Sequence, residues 1–184
     1  MRNNRFVISD THFGHANMLT FFRADGKTLI RPFPSIQEHD ETIIQNWNSV
    51  VKDGDYVYHL GDVCFGVQNY LTNIRPRLKG KIRLIWGNHD NMDNREFAAS
   101  FEKTMYWKAL KEHEIFAAHM PMMPSQFRGK CTKQIHGHIH EKHVRDYGDF
   151  PNKPLWCCVS VECINYTPLA IEELVDHPHK YFTL

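Results

Sequence analysis

Five short polar blocks carry side chains able to hold a metal ion or move a proton. They read Asp10-Thr11-His12, Gly61-Asp62, Gly87-Asn88-His89-Asp90, a lone His119, and Gly137-His138-Ile139-His140. Together they offer carboxylate, carboxamide and imidazole donors and no thiolate. The chain has 13 histidines in 184 residues, more than an ordinary domain of this size needs, and surplus imidazole points to metal or proton chemistry. Taken singly, each block has a plainer explanation. Asp-x-His arises by chance, Gly-Asp is an ordinary turn, Asp90 suits a helix N-cap, and alternating His138 and His140 suit a solvated strand face.

Their shared placement decides the matter. Each block follows an apolar run: Phe6-Val7-Ile8-Ser9, Tyr56-Val57-Tyr58-His59-Leu60, Ile82-Arg83-Leu84-Ile85-Trp86, Ile115-Phe116-Ala117-Ala118 and Gln134-Ile135-His136. Open α/β sheets place their sites beyond the C-terminal ends of strands, so parallel strands would gather blocks that are far apart in sequence. Strands are predicted over residues 5–9, 55–60, 81–86, 114–118, 133–136 and 155–161. Ser35-Ile36-Gln37-Glu38, preceded by Pro34, has capping-box spacing. It predicts a helix running to about Val51, with Ile36, Ile43, Ile44, Trp47 and Val50 or Val51 inward and Asp53-Gly54 ending it. A second helix is expected around residues 68–73, and a short helical or edge element over 171–175. Strands alternating with helices give an α/β class.

The 184 residues, 42% hydrophobic, suit a single domain over 1–184 with a sizeable core. A formal net charge of +1 argues against general coating of nucleic acid. The first apolar run, Phe6-Val7-Ile8, is too short for a signal-peptide core or a membrane span. A cytoplasmic protein without a membrane partner is therefore expected. The cysteines, Cys64, Cys131, Cys157, Cys158 and Cys163, are odd in number and lack CxxC spacing, and are read as buried reduced thiols.

The order Asp-x-His, Gly-Asp, Gly-Asn-His-Asp, lone His, Gly-His-x-His resembles the calcineurin-like metallophosphoesterases, over residues 10 to 140. The resemblance implies a four-layer α/β/β/α sandwich of two mixed sheets with helices outside. It also implies roles. Asp10, His12, Asp62 and His140 would hold one ion; Asp62 would bridge; Asn88, His119 and His138 would complete the second site. His89 would be the acid outside both ligand sets, with Asp90 as its orienting partner. Two divalent ions clamp an in-line displacement at phosphorus, while an imidazolium offsets charge and protonates the leaving oxygen. Nitrogen and oxygen donors suit two divalent transition-metal ions, manganese first, with iron, zinc or nickel as alternatives.

The departures narrow the substrate. Ala118-His119 replaces the usual Gly-His with another small residue. Val63-Cys64-Phe65 follows Gly61-Asp62, where the protein serine/threonine phosphatases of the superfamily carry Asp-Arg-Gly, and Asp90 stands in place of their Glu. A small-molecule phosphate ester or nucleotide is thus expected, with a nuclease acting on DNA or RNA as the alternative; a non-enzymatic relative would have lost ligands that are all present. His15 and Arg128 are expected to meet substrate phosphate, Arg128 from a loop over residues 121–130 that follows His119. His59 and His136 are read as packing residues behind the site, and His39, His113, His143, His177 and His179 as surface residues. Arg75, Arg77, Lys79, Lys81 and Arg83 are read as a solvated face. The oligomeric state is left open.

Overall fold

The computed structural model describes residues 3–142, 144 and 155–182. His143, expected at the surface, lies outside them. Two mixed sheets form the centre. The first has the order β4-β3-β2-β1-β9. Its strands β1 (Arg5–Ile8), β2 (Tyr56–His59), β3 (Lys81–Ile85) and β4 (Lys103–Met105) are parallel, and β9 (Leu169–Ala170) runs antiparallel beside β1. The second has the order β5-β6-β7-β8. There β6 (Ile115–Ala118), β7 (Lys133–His136) and β8 (Trp156–Cys158) are parallel, with β5 (Trp107–Leu110) antiparallel to β6.

Period-two alternation sorts the strand side chains between two cores. Val7, Tyr58, Leu60 and Ile85 face Leu110, Ile115, Ala117 and Ile135 and fill the space between the sheets. Phe6, Ile8, Val57, Ile82 and Leu84 point the other way, onto helix α1 (Ile36–Val50) and the segment after β2. That segment comprises α2 (Val67–Asn69), a π turn over Tyr70–Ile74 and a 3-10 turn over Arg75–Arg77. Over the outer face of the second sheet, Phe116 stacks between Trp107 and Phe127, the latter beside a 3-10 turn at Pro124–Gln126. Helix α3 (Arg95–Ala99) adds Phe97 to the first outer core, while α4 (Ile171–Asp176) inserts Ile171 and Leu174 between the sheets and α5 (Pro178–Tyr181) follows it.

Helix α1 starts as its sequence dictates: the Ser35 hydroxyl accepts the Glu38 amide at 3.2 Å. Ile43, Ile44 and Trp47 are buried, and the Trp47 indole donates to the Lys79 carbonyl at 2.9 Å. The edge strands β4, β5 and β9 escape the pattern because they are short and only partly buried. Of the basic residues at 75–83, Arg77, Lys79 and Lys81 are exposed, as a solvated face should be, with Arg77 paired to Glu41; Arg75 caps carbonyls of Leu78 and Ser100, and Arg83 pairs with Glu102. All five cysteines are free, but only Cys64 and Cys157 are buried; Cys163 is exposed, against the expectation of an interior set. Among the described residues no helix is long and apolar enough to cross a membrane.

Candidate metal centre

The parallel strands of both sheets end at one rim, and the polar blocks meet there. Strands β1, β2 and β3 deliver Asp10 and His12, Asp62, and Asn88; β6 and β7 deliver His119, then His138 and His140. At the rim the backbone turns sharply. Asp10, His12, Asp62, His138 and His140 all have positive φ, between 46° and 68°. Each such turn costs a non-glycine residue about 1–2 kcal/mol, and strain of this kind concentrates at functional sites. Crossed hydrogen bonds hold the turns: Asp10 N–H to Gly61 carbonyl, His12 N–H to Asp62 carbonyl, both 3.0 Å, and Gly137 N–H to His119 carbonyl, 2.8 Å. Gly137 admits no side chain, because a Cβ there would collide with Ser9 Oγ and the Asp10 carboxylate; one on Gly87 would collide with Asp62.

Two ligand clusters result: Asp10, His12 and His140, and Asp62, His119 and His138, with the donor atoms of each cluster within 4.8 Å of one another. Asp62 Oδ2 lies 3.7 Å from His12 Nε2 and 3.4 Å from His119 Nε2, so one carboxylate reaches both clusters. Asn88 Oδ1 lies 3.0 Å from His119 Nε2. The donor set fits a pair of divalent ions. His12 Nε2 is buried without a hydrogen-bond partner, an expensive state for an imidazole unless a cation uses the lone pair. Burial pushes the His12 pKa down to about 2, which keeps that lone pair free. His119 behaves differently: burial disfavours its cation, but the Asp62 and Asp10 carboxylates outweigh burial and raise it to about 9. His119 Nδ1 donates to the Leu60 carbonyl at 2.6 Å, leaving Nε2 toward Asp62.

Behind the ligands lies a polar layer. Arg31, fully buried, donates to the carbonyls of Asp10 (2.6 Å) and Thr11 (3.2 Å), to Glu162 Oε2 (2.9 Å) and to His39 Nε2 (3.1 Å). Glu162 Oε1 accepts a hydrogen bond from His140 Nδ1 at 2.5 Å. Burial alone would raise Glu162, but Arg31 and His140 hold it down at about 2. Such a carboxylate fixes the tautomer of a ligand histidine. The Ser160 hydroxyl donates to Asp10 Oδ2 at 2.8 Å. Arg31, Glu162 and Ser160 were not expected from sequence. His39, expected at the surface, is fully buried between Arg31 and Asp40; it falls on the inner face of α1 and joins this layer. His59 and His136 are buried, as packing residues should be.

The catalytic and substrate positions fare unevenly. His89 presents an exposed ring 5.7 Å from the His12 ring, and its amide donates to Asp62 Oδ1 at 2.9 Å. Asp90 does not orient it. The Asp90 carboxylate accepts the amides of Asp62 (3.1 Å), Val63 (2.9 Å) and Gly87 (2.8 Å), clamping the β2 and β3 turns together; three backbone donors claim it first. His15 stands at the mouth, its ring 5.4 Å from that of His12 and stacked on Phe65 at 4.6 Å. Arg128 is not brought to the site. Its guanidinium caps its own loop's carbonyls at Gln126 and Phe127, and the next residue, Gly129, lies against Ala109 and Lys111, at the end of the second sheet remote from His119. Phe127 stacking on Phe116 draws the loop away.

Comparison with known proteins agrees with this geometry. The family described as "Calcineurin-like phosphoesterase superfamily domain" matches residues 4–158. An uncharacterized protein of Methanocaldococcus jannaschii is 35% identical over 175 residues, covering 92% of this chain and 88% of its own. The gene 66 protein of Mycobacterium phage L5 is 31% identical, over 77% of this chain and 80% of that one. A crystal structure of an Aquifex aeolicus protein of unknown function superposes with a TM-score of 0.65 at 25% identity, covering 94% of this chain and 98% of that one.

Proposed function

The chain belongs to the calcineurin-like phosphoesterase superfamily, and on that footing we propose that it is a dinuclear-metal hydrolase of small phosphate esters, most directly a phosphodiesterase or phosphatase acting on a nucleotide or related ester. The observation that carries this reading is the pair of clusters sharing Asp62. Asp10, His12 and His140 would hold one ion, Asn88, His119 and His138 the other, and Asp62 both. When bound, two such ions supply Lewis acidity to the phosphoryl oxygens and lower the pKa of the attacking water. The protein does the rest. Asp62 fixes the spacing of the two sites, Glu162 and the Leu60 carbonyl aim His140 and His119, and His89, exposed at the rim, holds the proton for the leaving oxygen.

Manganese is the ion we put first, with iron, zinc or nickel as alternatives, since mixed nitrogen and oxygen donors suit all four. The test is turnover of a nitrophenyl phosphodiester and a nucleotide by chelator-stripped protein. Stripped protein should be inert, and Mn(II) should restore activity. Full turnover by the stripped protein would refute the reading.

A further inference from the structure

Two cavities border the centre. One, of about 400 Å³, runs from His12, His89 and His140 to Phe21 and Phe22. The other, of about 390 Å³, runs from Asn88 and His119 to Trp86, Met92, Tyr106 and Met120. The first is also lined by His138 and so meets ligand candidates of both clusters, whereas the second meets Asn88 and His119 of the second cluster only; both are walled by apolar or aromatic groups. Those walls are exposed: Phe22 is 53% and Tyr106 71% accessible. Phe21, Phe22, Met92, Tyr106 and Met120, most of the large apolar side chains left exposed among the described residues, line one or other cavity. Scattered single apolar residues need no explanation, but their concentration beside a polar centre marks a binding surface.

The first wall is a built element. Phe22 and Leu29 form an antiparallel bridge, the Ile30 amide donates to the Phe21 carbonyl at 2.9 Å, and Arg23 pairs with Glu141 at 2.7 Å, next to ligand His140. Arg31 then anchors the end of this hairpin beneath Asp10. Among the described residues Lys142 is the sole lysine or arginine lining either cavity, so little there would hold a long polyanion.

We infer that the substrate is a dinucleoside-type phosphodiester, its phosphate over the two clusters and one nucleobase against each apolar wall. This rests on the hydrolase reading above and specifies its substrate. The phosphate of a diester carries two organic arms, and two flanking cavities accommodate both; a monoester would leave one wall bare. The arm beside Phe21 and Phe22 is the leaving one, because His89 borders that cavity. Water oxygen bonds to phosphorus, the P–O bond to the leaving nucleoside breaks, and His89 delivers a proton to the departing oxygen and is reprotonated by the proton the water gives up. A nucleoside and a nucleoside monophosphate result.

The test compares kcat/KM of the Mn(II)-loaded protein for a dinucleoside monophosphate, nucleoside methyl phosphodiesters with the base on either side, dibutyl phosphate and a 20-residue oligonucleotide. Bis-p-nitrophenyl phosphate serves as the control for metal chemistry. Base stacking on an aromatic wall is sequence-tolerant and strong enough that each base should add roughly tenfold, giving the dinucleoside about a hundredfold advantage over dibutyl phosphate. Phe22→Ala and Tyr106→Ala should each lower the dinucleoside-to-dibutyl ratio about tenfold, Phe22→Ala acting on methyl diesters with the base on the leaving side and Tyr106→Ala on the others. Calorimetry with a non-cleavable dinucleoside methylphosphonate should show weaker binding in both variants, without reliance on turnover. Cleavage of the nitrophenyl control with no preference for bases overturns the inference and leaves the hydrolase reading standing, as does a preference for the oligonucleotide. Failure on every ester with both ions bound overturns both.

Discussion

Asn88 and His89 are neighbours in one turn, yet the atoms they present assign them different work. Asn88 directs its carbonyl oxygen to within 3.0 Å of His119 Nε2, inside the second cluster. His89 spends only its amide on Asp62 and leaves its ring exposed at the rim. A ring so placed suits proton delivery. His89→Asn should retain both ions and lose about 10²–10⁴-fold on an alkyl or nucleoside ester, but much less on a nitrophenyl ester, whose leaving group departs without a proton. Metal analysis with rates on the two esters checks this; equal losses at full metal content would remove the leaving-group role. The seven ligand candidates were legible because each follows an apolar run that ends at the sheet rim. The place of Asp90 between the turns was not legible, because the backbone amides that its carboxylate accepts carry no sequence signature.

At the scale of elements, strands deliver the ligands and the connections between them hold the geometry. Strands β1, β2, β3, β6 and β7 and helix α1 stand where alternation and capping placed them. The edge strands β4, β5 and β9 carry too little alternation to announce themselves. The least legible part is the buried layer of Arg31 and Glu162. These residues sit on a hairpin end and on a 3-10 turn at Val161–Cys163, and they are 131 positions apart. No local pattern links them; the sheets do. Because Glu162 fixes His140, Glu162→Gln should weaken Mn(II) affinity about 10–100-fold while leaving the fold intact by circular dichroism. Unchanged affinity in a titration of the stripped variant would show that Glu162 merely fills space.

At the scale of the molecule, packing two sheets face to face buries histidines well outside the ligand set. His39 and His59 are interior, and burial lowers both, His59 to about 3. Their folded pKa values lie below the unfolded value of about 6.5, so the unfolded chain binds more protons in acid. The stability they contribute is complete above pH 6.5 and is lost as pH falls toward the folded values, at about 1.4 kcal/mol per pH unit for each histidine. Denaturant melts of the stripped protein should therefore decline steadily below pH 6.5, while His119, held up at about 9, makes stability fall also as pH rises from 6.5 toward 9. His59→Gln should reduce the slope by one proton. A melt insensitive to pH between 6.5 and 4 would contradict the burial of neutral imidazoles.

If Asp62 joins two ion sites into one centre, electron paramagnetic resonance of protein loaded with two equivalents of Mn(II) should report it. A shared carboxylate brings the ions close enough for exchange coupling, so the native protein should give a coupled spectrum that Asp62→Ala abolishes. Two equivalents bound with only the six-line signals of isolated Mn(II), unchanged by Asp62→Ala, would contradict it.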